Sequence, residues 1–266
     1  MDNELLKKEY IEGKQTLAQL ADKYGVNKST IWRRLRTMRH IRIISKDKDV
    51  VINMDTTYWG RNFGLMVIKD AFRNKIIWYK FVRHETVADY REGIEWLRAN
   101  SFKIYGIVCD GMRGLFEELH AYRVQMCQFH QTMIVRRYLT NRPELPAARE
   151  LLQIANILAH TDKECFIGML EQWHLKWDSF LKERSFDSGS GRSTYTHKKI
   201  RSAYLSLKRN MPWLWTFYDY PDLHIPNTNN ALEGVFTDIK TKLRVHSGIS
   251  KERRSSLIQE YIARHY

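Results

Sequence analysis

Asp55 and Asp110 each stand at the end of a short apolar run, Val50–Met54 in the first case and Ile104–Cys109 in the second. An ionised carboxylate is costly to desolvate within a buried strand, so an aspartate at a strand's carboxyl end is better suited to face a cleft. If the two strands are neighbours in one sheet, both side chains reach the same end of it. A third carboxylate, Glu233, begins the helical stretch after Pro226. Three oxygen donors suit Mg2+, with water and substrate oxygens completing the octahedron. A pair of such ions can activate a nucleophile and stabilise the leaving oxygen in phosphodiester chemistry.

Each carboxylate also has a structural reading. Aspartates that form turns are common at strand ends. Asn230-Ala-Leu-Glu233 is close to a helix capping box, which accounts for both the Asn and the Glu. The residues by themselves leave Glu233 open between cap and ligand. Its helix places Leu232, Val235, Phe236, Ile239 and Leu243 on one stripe and Glu233, Thr237, Lys240 and Arg244 on another. A carboxylate followed by Lys240 and Arg244 on one face suits a metal site beside a phosphate backbone. Cys127 and His130 form a C-x-x-H pair, half of a zinc site. His160 and Cys165 supply no second tight pair, so a buried scaffold at a strand-to-helix exit is the better reading. A proton-carrying role for His130 stays open.

The elements that must position these residues emerge from periodicity. Val50–Met54, Phe63–Lys69 and Lys75–Val82 read as strands, Glu85–Asn100 as an amphipathic helix, and Ile104–Cys109 as a fourth strand. Leu115–Tyr122 reads as a short helix and Val124–Cys127 as a fifth strand. A mixed α/β domain over residues 50–266 is expected, with a sheet carrying helices on its faces. Residues from about 132 to 226 read as a large all-α insertion, with Ser185–Ser193 an exposed loop. Leu151, Ile154, Ala155 and Leu158 form one apolar stripe in it, and Phe166, Leu170, Trp173 and Trp177 another.

Residues 1–40 read as a small all-α domain, followed by a polar linker at 41–49 in which Ile41, Ile43 and Ile44 provide an apolar anchor. Leu17, Leu20, Ala21 and Tyr24 recur at helical spacing, and Gly25 permits a tight turn. Asn27 or Ser29 caps a second helix that buries Ile31 and Leu35. This is a helix-turn-helix pattern, whose second helix enters the major groove. Lys28, Ser29, Thr30, Arg33 and Arg34 then face bases or phosphates. The charge agrees: 44 Lys and Arg against 30 Asp and Glu give +14. Such a field favours polyanionic partners, nucleic acid first among them.

Asp55-Thr-Thr, Val108-Cys-Asp110-Gly, Cys127-Gln-Phe-His130 and Asn229-Asn-Ala-Leu-Glu233-Gly together resemble the DDE transposases of the Mutator-like and related bacterial insertion-sequence group. The resemblance covers roughly residues 50–245. It implies a ribonuclease-H-like fold with a helical insertion before the Glu, and Asp55, Asp110 and Glu233 as catalytic ligands of two Mg2+ ions, Mn2+ being a substitute. It lifts Glu233 above its capping reading and matches Lys240 to a basic position seven residues after the acid. It also implies that Cys127 and His130 shape the active site or position DNA. Implied partners are double-stranded DNA, as element ends and as target, and further copies of the chain in a dimer or larger assembly. The chain is short for the group, with little after the catalytic helix.

Two other functions use the same residues: a metal-dependent nuclease or resolvase without strand transfer, and a non-catalytic DNA-binding regulator derived from a transposase. G-x-S-x-G and H-E-x-x-H motifs are absent, which disfavours the corresponding hydrolases. No apolar run approaches the roughly 18 residues of a membrane span, and Met1-Asp-Asn-Glu lacks the features of a signal peptide. The three cysteines read as intracellular thiols. The expected location is therefore the cytoplasm or nucleoid, or the nucleus of a eukaryote.

Overall fold

The computed structural model describes residues 2–13, 15–37, 47–186, 189, 191–246 and 248–266. Helices α1 (Asn3–Ile11), α2 (Leu17–Tyr24) and α3 (Lys28–Thr37) come first. Strands β1 (Asp49–Tyr58), β2 (Gly64–Asp70) and β3 (Ile76–Val82) lead to α4 (Val87–Ala99). Next come β4 (Lys103–Cys109), α5 (Leu115–Glu118), β5 (Val124–Met126), α6 (Gln128–Leu139), α7 (Pro146–Asn156) and α8 (Lys163–Lys182). A hairpin of β6 (Arg184–Phe186) and β7 (Ser193–Tyr195) precedes α9 (Lys198–Leu214), α10 (Thr216–Asp219), α11 (Asn230–Arg244) and α12 (Lys251–His265). The anchor Ile41, Ile43 and Ile44 lies outside the described residues.

The main sheet is mixed, five-stranded and ordered β3-β2-β1-β4-β5. β2 and β3 pair antiparallel, whereas β4 runs parallel to both β1 and β5. The chain divides into two compact units: Met1–Lys48 with Asp55–Phe102 and Asn230–Tyr266, and Asp49–Met54 with Lys103–Asn229.

In the first unit one core gathers the N-terminal helices, β2 and the two C-terminal helices. Leu6, Tyr10, Leu20, Ala21 and Ile31 pack with Leu65 and Val67, with Leu232, Phe236 and Ile239 of α11, and with Leu257, Ile258 and Tyr261 of α12. The apolar stripe expected on α11 is buried as a whole. Helix α12 adds to the elements expected from the sequence. Its own stripe, Leu257, Ile258, Tyr261 and Ile262, has helical spacing, and Ser250 caps it by accepting from the Arg253 N–H.

In the second unit, β1 pairs with β4 through Val51 opposite Gly106 and Asn53 opposite Val108, and β4 pairs with β5 through Cys109 opposite Met126. The long segment after β5 is mostly helical, and the β6–β7 hairpin replaces part of the expected loop. Three buried glutamines at intervals of three residues, Gln125 on β5 and Gln128 and Gln131 on α6, fasten α9 to the sheet and to α6. Gln125 and Gln128 each donate to the Leu214 carbonyl, at 3.0 and 2.9 Å. Gln131 donates to Ser206 Oγ at 3.0 Å and accepts from Asn210 at 2.7 Å. Buried amides satisfied in this way select one packing arrangement of α6 against α9.

Two boundaries depart from the sequence expectation. The short helix after Asp110 ends at Glu118 rather than Tyr122. β1 continues three residues beyond Asp55 to Tyr58, and the Trp59 N–H donates to the Phe63 carbonyl at 2.9 Å to close the turn into β2. Asp55 thus lies within a strand instead of at its tip.

Candidate active site and nucleic-acid interface

Asp110 comes directly after the last residue of β4 and is half-buried. Its Oδ1 accepts from the Met112 N–H at 3.2 Å. Burial holds its carboxyl above the usual carboxylate range, while the electrostatic influence of His130 and the Met112 hydrogen bond pull it down. His130 lies in the first turn of α6, edge-on to Phe129 with ring centroids 5.9 Å apart. Asp110 and His130 are therefore electrostatic neighbours, a relation that the C-x-x-H spacing by itself does not disclose.

Cys127 is buried where β5 passes into α6, and its N–H donates to the Cys109 carbonyl at 2.8 Å. Its sulfur accepts from the Asn229 N–H at 3.2 Å. The next residue continues the attachment: the Gln128 N–H donates to the Asn227 carbonyl at 2.9 Å, and Asn227 Nδ2 donates to Gln128 Oε1 at 3.0 Å. Asn229 also reaches β1, donating to the Met54 carbonyl at 3.0 Å and accepting from Asn53 Nδ2 at 2.6 Å. A few residues upstream, Ile225 packs over Gly106, where an added Cβ would lie 2.7 Å from Ile225 Cδ1. The segment before α11 is thus held to β1, β4 and the start of α6. The sequence alone gives no structural role to Asn53 or Asn229; the available signal is the place of Asn229 in the Asn229-Asn-Ala-Leu-Glu233-Gly motif.

Asp55 is 8% exposed, and its Oδ1 accepts from the Thr56 N–H at 2.7 Å. Around it, Thr56 Oγ1 meets Tyr90 Oη at 3.3 Å, and Tyr90 Oη donates to Glu85 at 3.2 Å. The Glu85 N–H donates to Tyr58 Oη at 2.7 Å. These contacts fasten the start of α4 to the end of β1. Glu233 lies half-buried in the first turn of α11, with Lys240 and Arg244 exposed further along that helix. α11 begins at Asn230, so Asn230 is already helical, and the residue before it uses its side chain on Asn53 and Met54. Asp55 and Glu233 belong to the first unit, and Asp110, Cys127 and His130 to the second. Among the described residues, no group of three or more His, Cys, Asp or Glu side chains is assembled that could hold a metal ion.

The helix-turn-helix is built as its residues require. Thr16 and Gln19 form a capping box on α2, and Gly25 ends that helix in the left-handed region at φ 62°. Asn27, not Ser29, caps α3: its Oδ1 accepts from the Thr30 N–H at 2.9 Å. The hydroxyls of Ser29 and Thr30 also donate to it, at 2.7 and 2.9 Å. Lys28, Ser29, Arg33 and Arg34 are exposed and Thr30 is half-buried, while Ile31 is fully buried. Among the described residues, no helix is long and apolar enough to cross a membrane.

A family model described as helix-turn-helix, Psq domain, matches residues 8–40. No curated protein sequence matches the chain. Among solved structures, the chain is similar to one in a cryo-EM structure of the simian T-cell lymphotropic virus intasome in complex with the PP2A regulatory subunit B56 gamma. That likeness has 13% identity and a TM-score of 0.25, and covers 59% of this chain and 69% of the other. At that score it implies nothing about the fold or function of this chain.

Proposed function

We propose that the chain is an insertion-sequence transposase. In this reading α2 and α3 bind element ends, and Asp55, Asp110 and Glu233 form the catalytic centre of a ribonuclease-H-like domain with a helical insertion. The observation that carries the proposal is a register. From Val51 opposite Gly106 onward, β1 and β4 pair in parallel with partners 55 residues apart. Asp55 and Asp110, each two residues after the pair of Asn53 with Val108, have the same separation in sequence. The strand order and the largely helical segment between β5 and α11 support the same fold. The helix-turn-helix match and the +14 charge support DNA as partner.

The proposed donors are all carboxylate oxygens, which fit Mg2+, with Mn2+ as a substitute. Bound there, two such ions supply charge neutralisation for the attacking and leaving oxygens of an in-line displacement. Asp55, Asp110 and Glu233 would hold them. Lys240 and Arg244 come after Glu233 along α11 and bind the phosphate backbone. The contact of Cys127 with Asn229 holds the segment before α11, and His130 tunes the electrostatics of Asp110. Water attacks a phosphodiester at the element's end, releasing a 3′-hydroxyl, which attacks a target phosphodiester in the same manner. Joining two ends calls for two active sites, hence a dimer or larger assembly on DNA.

The test is incubation with duplex DNA carrying the element's own ends, Mg2+ and a target plasmid. End cleavage and joined product are expected, both lost in Asp55→Asn, Asp110→Asn and Glu233→Gln. Cleavage without joined product would replace the transposase with a nuclease.

A further inference from the structure

Helices α3 and α12 share the core of the first unit, through Ile31 on one and Leu257 and Ile258 on the other. At the edge of that core the Arg253 guanidinium sits over the Trp32 ring of α3, 5.0 Å from its centroid. Trp32 is one helical turn after Lys28, so the two share a side of α3, and Lys28 is exposed. Arg253 itself is half-buried.

Two other cations between the N-terminal helices and α12, Lys7 and Arg264, are closed by carboxylates. Lys7 pairs with Glu260 at 3.0 Å, and Arg264 pairs with Glu260 at 3.0 Å and with Glu4 at 3.1 Å. Among the described residues no carboxylate forms an ion pair with Arg253, whose guanidinium lies over the indole ring. An arginine stacked on an aromatic ring is held in orientation while its N–H donors stay available to an anion. Phosphate contacts at the flank of a recognition helix fix the protein's register on the duplex.

We propose that Arg253 of α12 is a DNA-phosphate contact beside the recognition helix, oriented by stacking on Trp32. It extends the DNA surface beyond the helix-turn-helix onto the C-terminal helix. The proposal rests on α3 being the helix that meets DNA, but not on the chemistry at Asp55, Asp110 and Glu233.

The test measures binding of the full chain to a fluorescently labelled random-sequence duplex, a few helical turns long, across a salt series. Losing one phosphate contact lowers the slope of log K against log salt by about 0.9. Arg253→Gln is expected to show that drop, Arg253→Lys to retain the slope, and Arg33→Gln to show a drop of its own. Melting temperature is measured for each variant. A structural role for Arg253 would lower the melting temperature of both the Gln and Lys variants and leave their slopes unchanged, overturning the proposal. A drop for Arg33→Gln with none for Arg253→Gln overturns the proposal and leaves α3 as the DNA helix. No drop in either variant overturns the reading of α3 and the proposal with it.

Discussion

The backbone N–H of Asn229 donates to the sulfur of Cys127 at 3.2 Å, across 102 residues of chain. Through this contact the cysteine of the C-x-x-H pair holds the segment that leads into α11. Cys127→Ala strands a buried N–H and is expected to cost about 1–3 kcal/mol, with further loss from the cavity. Cys127→Ser, which keeps an acceptor, is expected to cost less. Chemical denaturation of the two variants checks the order. A zinc-selective chelator is expected to leave the wild-type melting temperature unchanged.

Asn53 and Asn229 share a buried side-chain hydrogen bond of 2.6 Å, and Asn229 also donates to the Met54 carbonyl. The two single alanine variants are expected to be strongly non-additive. A double-mutant cycle on stability should return a coupling of about 0.5–3 kcal/mol. A coupling near zero would remove the pair from the contacts that hold this segment.

Much of the main sheet is legible in the sequence because apolar runs such as Leu65–Ile68 are bounded by turn residues, and each strand lies within a few residues of its expected place. Asp55 reads as a strand end because Asp-Thr-Thr breaks the apolar run. Backbone pairing does not require apolar side chains, and β1 continues to Tyr58. The β6–β7 strands are three residues each and are joined by contacts such as Arg184 Nε to Ser193 Oγ at 2.6 Å, too local to leave a periodic signal. Gln125, Gln128 and Gln131 look polar in sequence, and their burial depends on partners some 75 to 90 residues away. The aspartates and Glu233 stand out by type and context, whereas Asn53 and Asn229 need the fold to acquire a role.

His246 gives the first unit a pH dependence. Burial pushes its imidazole below the ordinary 6.5, with a hydrogen bond to the Tyr10 backbone pulling back, and its ring lies 4.6 Å from that of Tyr10. A depressed folded-state value means that the fold favours the neutral ring. Its contribution is therefore complete above the unfolded value and is lost as pH falls through the folded one. Stability should decline below about pH 6.5 by up to about 1.4 kcal/mol per pH unit. Melting curves across pH check this, and His246→Phe should flatten that part of the profile.

Lys7 and Glu260 form an ion pair at 3.0 Å, with their side chains 8% and 12% exposed. Removing one partner of a buried pair leaves the other charge uncompensated, a cost of about 3–5 kcal/mol. Glu260→Gln should approach that figure, since Arg264 also loses a partner. Lys7→Met together with Glu260→Leu should recover much of the loss. Denaturant midpoints compare the variants, and an additive double variant would contradict the pairing.

The most direct test of the catalytic reading is Mg2+-dependent cleavage of the element's own ends by wild type and by Asp110→Asn, with DNA binding measured in parallel. Wild type should cut the ends and yield joined product, while Asp110→Asn should bind the same DNA with unchanged affinity and produce neither. Cleavage at the wild-type rate by Asp110→Asn would contradict the catalytic role of Asp110.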